Sequence, residues 1–124
     1  MSTGVPYTFT TAASTNLQPI RAGQTGNIKG WVVTNTAAYA IYMKFYWQPA
    51  NVTTLPVVGT TVPAITVTCP APTATTGVGG GTVNNFQEGI TNNGELWVWV
   101  TKNAVSTDTT ATAAGDGIIT ILVE

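Results

Sequence analysis

The chain predicts an all-β sandwich, and three observations carry that expectation. Side-chain character alternates with a period of two along most of the sequence. Val, Ile, Thr and aromatic residues, which favour a pleated half-buried surface, crowd the alternating segments. Clusters of Gly, Pro and Asn punctuate them at short intervals, and no segment shows a convincing helical period. At 124 residues the length suits one domain with one core, 1–124.

In chain order, Tyr7 to Thr11 reads as the first strand. Residues 1–14 as a whole read equally as an N-terminal arm or as an edge strand of the sandwich. A short strand around Leu17 to Ile20 precedes the turn Ala22-Gly23-Gln24-Thr25-Gly26, and Gly26 to Asn35 and Ala38 to Trp47 follow as longer strands parted at Asn35-Thr36. Val52 to Pro63 reads as a long surface loop, Pro63 to Cys69 as a strand, and Pro70 to Gly81 as a second loop ending in the flexible run Gly77-Val78-Gly79-Gly80-Gly81. Thr82 to Phe86, Glu95 to Thr101 and Gly117 to Val123 complete the set, with turns at Asn92-Asn93-Gly94 and Gly115-Asp116-Gly117. Seven to eight antiparallel strands of this spacing make the jelly roll the specific expectation.

Composition narrows the function. Four basic and five acidic side chains, no histidine and 7% charged residues stand against about 25% in an ordinary domain. With 44% hydrophobic residues the chain has the material to fold, so disorder is not expected. Without histidine there is no Ser/His/Asp or Cys/His arrangement, and the commonest general base at neutral pH is missing. Carboxylate pairs remain conceivable as Glu88 with Glu95 or Asp108 with Asp116, but their flanks are turn-like, and solvated turns are expected over either catalysis or a calcium site. The sequence therefore predicts no enzyme, no cofactor and no metal. Cys69, the single cysteine, reads as a small apolar strand residue. Arg21, Lys29, Lys44 and Lys102 are scattered, so no basic stripe for nucleic acid is expected. The glycines of 77–81 lack the Lys-Ser/Thr of a phosphate loop, and Asn51-Val52-Thr53 fits a glycosylation pattern without a secretory context. The opening residues have neither the basic start nor the apolar core of a leader, and no apolar run reaches ~18 residues, so synthesis in the cytoplasm and no membrane partner are expected.

The face pattern is more specific. In Ala38 to Trp47, the residues Tyr39, Ile41, Met43, Phe45 and Trp47 share the predicted core side, which leaves Tyr42, Lys44 and Tyr46 on the other. In Glu95 to Thr101, Leu96, Val98 and Val100 line one face and Trp97 and Trp99 the other, so both faces are apolar and the second needs a covering layer. Tyr42, Tyr46, Trp97 and Trp99 are thus the candidate interface residues, because interfaces are rich in Tyr and Trp and poor in charge at their centres. Three covers are open: a neighbouring subunit, a loop of the same chain, or a sugar stacked on an exposed aromatic platform.

The segments Gly26-Asn27-Ile28-Lys29-Gly30-Trp31-Val32-Val33-Thr34-Asn35-Thr36-Ala37-Ala38, Tyr42-Met43-Lys44-Phe45-Tyr46, Val58-Gly59-Thr60-Thr61-Val62-Pro63 and Ile65-Thr66-Val67-Thr68-Cys69-Pro70 occur in that order, and the chain closes with Asp108 to Ile118. Together they resemble a widespread group of small tailed-phage virion proteins, over most of the chain from about residue 22. Trp47, Trp97 and Trp99 depart from that group's pattern. The resemblance implies a β-sandwich structural protein of the virion, with capsid decoration or cementing as an oligomer, a trimer by preference, bound to the phage major capsid protein on the capsid surface. A carbohydrate-binding or tail- or baseplate-associated module is the alternative.

Overall fold

The computed structural model describes residues 5–21, 24–72, 80–90 and 94–124, with side chains throughout except at 85–88. Among the described residues the chain is all-β, with eight strands in two antiparallel four-stranded sheets packed face to face. The strands are β1 (Val5–Thr10), β2 (Gln18–Pro19), β3 (Ile28–Asn35), β4 (Ile41–Pro49), β5 (Ile65–Cys69), β6 (Gly80–Ile90), β7 (Gly94–Thr101) and β8 (Gly117–Val123). One sheet, A, runs in the order β1-β8-β3-β6 and the other, B, in the order β2-β7-β4-β5. The pairing is nested: first with eighth, second with seventh, third with sixth, fourth with fifth.

Alternation decides what is buried. On β4, Ile41, Met43, Phe45 and Trp47 point inward, and on β7 Leu96, Val98 and Val100 do the same. Trp31 and Val33 of β3 and Ile119, Ile121 and Val123 of β8 meet them from sheet A. Trp31 stacks on Phe45 with centroids 5.8 Å apart, a contact worth about 0.5–1.5 kcal/mol beyond the area it buries. Trp47 donates its indole N–H to the Gly26 carbonyl at 2.6 Å, so a large ring enters the core with its polar atom satisfied. Cys69 is fully buried, and burial pushes its thiol up to about 12.

Several boundaries differ from the sequence expectation for local reasons. The fourth strand starts at Ile41 rather than Ala38, because the buried Asn35 amide turns the chain. It donates to Tyr39 O at 3.0 Å and to Cys69 O at 2.9 Å, and its oxygen accepts from Ala37 N at 2.9 Å. One side chain therefore ties the ends of β3 and β5 to the entry of β4. The sixth strand extends at both ends of Thr82 to Phe86, and Gly80 and Gly81 belong to it instead of to a flexible run. Gly81 has φ +132°, and a Cβ there would lie 1.9 Å from the Val33 carbonyl oxygen, so only glycine fits beside β3. The remainder of that run, 77–79, lies outside the described residues, as do Ala22, Gly23, Asn92, Asn93 and residues 1–4. β1 is an edge strand, paired on one side with β8.

Candidate interaction surfaces

The outer face of sheet B holds the four residues singled out from the sequence. Cross-strand register sets Tyr46 opposite Trp97, Lys44 opposite Trp99 and Tyr42 opposite Thr101. The two tryptophans are covered, Trp97 at 8% and Trp99 at 0% exposure, whereas Tyr42 and Tyr46 are half-buried. Their cover comes from the chain itself. Within the single chain Trp99 keeps no exposed surface and Trp97 keeps 8%, which leaves little of either indole for stacking.

Two loops make the lid, and polar anchors fix both. The connection from β7 to β8 folds back so that Lys44 Nζ donates to Asn103 O at 3.0 Å and Val105 O at 2.8 Å, while Thr101 Oγ1 donates to Asn103 O at 2.9 Å. The connection from β4 to β5 is held by Gln48, whose amide donates to Val52 O at 2.9 Å and Thr54 O at 3.1 Å and accepts from Trp97 Nε1 at 3.0 Å. The loops meet at Gly59, where an added Cβ would stand 2.5 Å from Thr109 Cγ2. Lys44, which reads in the sequence as one of four scattered cations, is fully buried at the centre of this face. Burial lowers its pKa, and the nearby Asp108 opposes that shift. The two carbonyls give the ammonium the partners that a buried charge requires.

Asp108 shapes the lid from its rim. Its carboxylate accepts from Asn103 N at 3.0 Å, Asn103 Nδ2 at 3.1 Å and Thr110 Oγ1 at 2.7 Å. Burial pushes its carboxyl up, but the hydrogen bonds from Thr110 and Asn103 outweigh that and bring it down to about 2. Asp116 takes a separate turn role, accepting from the Tyr39 hydroxyl and from Ala113 N. The two aspartates thus serve different turns, and no contact joins them. The Glu88 side chain lies outside the described residues, so its pairing with Glu95 has no geometry. Among the described residues no group of three or more His, Cys, Asp or Glu side chains is placed to hold a metal.

Sheet A presents the opposite condition. Its outer face carries exposed side chains among the described residues, and its central row runs Thr8, Thr120, Val32, Val83 across all four strands. The next row is Thr10, Ile118, Thr34, Gly81. Val32 is 45%, Ile118 48% and Val83 72% exposed. None of the described side chains in these rows is charged. Sequence reading passed over this face because Val32 and Ile118 sit in near-continuous apolar runs, in which the period of two is masked and the outward residues look like core.

Comparison of the chain with protein-family models, with curated proteins and with solved structures finds no match in any of the three.

Proposed function

We propose that this chain is a non-enzymatic structural protein of a tailed-phage virion, which decorates and cements the capsid shell as an oligomer. The observation that carries the reading is the contrast between the two outer faces. The chain's own loops cover the tryptophans of sheet B, while sheet A offers exposed threonine and aliphatic side chains with no charge among the described ones. A face of that kind suits a role in which it is covered after assembly. The ordered motifs from Gly26 to Pro70 and from Asp108 to Ile118 supply the resemblance to virion proteins, and the composition supplies a chain with little acid–base equipment. We read the nested strand pairing as that of an eight-stranded jelly roll. Such a fold hosts many functions, so the assignment rests on surfaces rather than on topology.

Cementing has a simple physical basis. Each contact with the shell must overcome ordering and rigid-body losses of ~4–15 kcal/mol. An oligomer spanning a seam makes its later contacts intramolecular, at effective concentrations around millimolar, so modest contacts become durable together. The carbohydrate alternative loses its strongest elements with the two tryptophans covered, since stacking needs an open ring face.

The test is co-sedimentation of the purified chain with shells of the phage that encodes it, followed by heating. Saturable binding and a higher rupture temperature for decorated shells are the expected results. Sedimentation with purified tails but not with shells, or shell binding without any gain in rupture temperature, would overturn the cementing role.

A further inference from the structure

We infer that the outer face of sheet A is a self-association surface on which a second copy of this chain packs, sheet against sheet, about a two-fold axis. The inference deepens the oligomeric part of the proposed function and rests on it only for the expectation that copies associate. The choice of face and symmetry comes from the sheet.

Three features select a second copy as the occupant. First, Val32, Val83, Ile118 and Leu122 are presented with threonines and no described charge, so two identical faces meet without like-charge repulsion, whereas a charged partner would lose hydration with no counter-charge to meet it. Lys29, beside the β3 bulge, is already buried and lies 3.6 Å from Glu124. Second, the Thr8 and Thr120 hydroxyls in the central row are 3.0 Å apart and hydrogen-bonded to each other. They can enter a dry interface with a partner in place, which removes the main cost of burying a threonine. Third, the area fits. Four strands at about 4.8 Å spacing and six residues at about 3.3 Å rise give about 400 Å² in projection, and side-chain relief brings the buried accessible surface to roughly 600 Å² per copy. Two copies then bury about 1,200 Å², the lower bound for a specific stable interface.

Symmetry follows from the geometry. A face that packs on itself is isologous and closes at two copies, whereas a three-fold ring needs two different surfaces on each subunit. Two copies of one sheet also share one twist, which aligned sheet packing requires.

The test is light scattering behind size-exclusion chromatography over a dilution series, on the wild-type chain, Val32→Lys, Val83→Lys and Val62→Lys. Val62 is 70% exposed on the β4–β5 loop and serves as the control. A wild-type dimer is expected, with dissociation at least 100-fold easier in Val32→Lys and Val83→Lys and unchanged in Val62→Lys, and with all three melting like wild-type protein when each is measured at concentrations too low for the dimer to form. A wild-type trimer, a wild-type monomer at every concentration, or a dimer that survives both lysine substitutions in folded protein would overturn the inference. A wild-type monomer that still sediments with shells would do so while leaving the decoration role standing.

Discussion

Gly81, Asn35 and Lys44 show how single residues hold the two sheets in place. Each does something that its neighbours in sequence do not reveal. Gly81 lets β6 pass within contact of the Val33 carbonyl in a left-handed conformation, so Gly81→Ala forces either the backbone of β3 or that of β6 to move. We expect it to cost about 3 kcal/mol, read as a lower denaturation midpoint in urea with an unchanged slope. A loss under 0.5 kcal/mol would mean that the close approach is not maintained in solution. Asn35 uses both ends of its amide on backbone groups of the β3–β4 connection and of the end of β5, which is why a polar side chain is fully buried there. Lys44 spends its charge on the lid, and Trp99 beside it contributes area, since its indole N–H finds no hydrogen-bond acceptor among the described residues.

The loop from β7 to β8 is the element whose order matters most for the outer face of sheet B. It is pinned at Lys44 and shaped by Asp108. The Asp108 carboxyl titrates at about 2 in the folded chain against an ordinary value of 3.8. Its contribution is therefore complete above the ordinary value and is lost as pH falls through about 4 towards 2. Hydrogen exchange is expected to show the amides of 103–110 losing protection across that window before the core strands do. In Asp108→Asn the loss should already be present at pH 7. Simultaneous loss in loop and core would show that Asp108 does not act on the loop separately.

For the molecule as a whole, the distribution of cover is the main finding. All four tryptophans are 8% exposed or less within one chain. Acrylamide should therefore quench them weakly, and by the same amount in wild-type protein and in the Val32→Lys monomer. A several-fold rise in quenching on dissociation would show that Trp97 or Trp99 takes its cover from a neighbour after all. The all-β class, a set of seven to eight strands and the inward sets on β4 and β7 were legible in the sequence, because strand periodicity is a local property that Ile41, Met43, Phe45 and Leu96, Val98, Val100 display without help. The absence of histidine was equally legible, since it needs no structure to be seen. Only the tertiary structure decided which loop covers the tryptophans, that Lys44 is a buried anchor, and that Val32 and Ile118 face outward. Those outcomes depend on contacts between residues about 60 positions apart, such as Lys44 with Asn103 and Val105. Local side-chain pattern carries no information about which distant segment will arrive to satisfy a buried charge or to shield an apolar face.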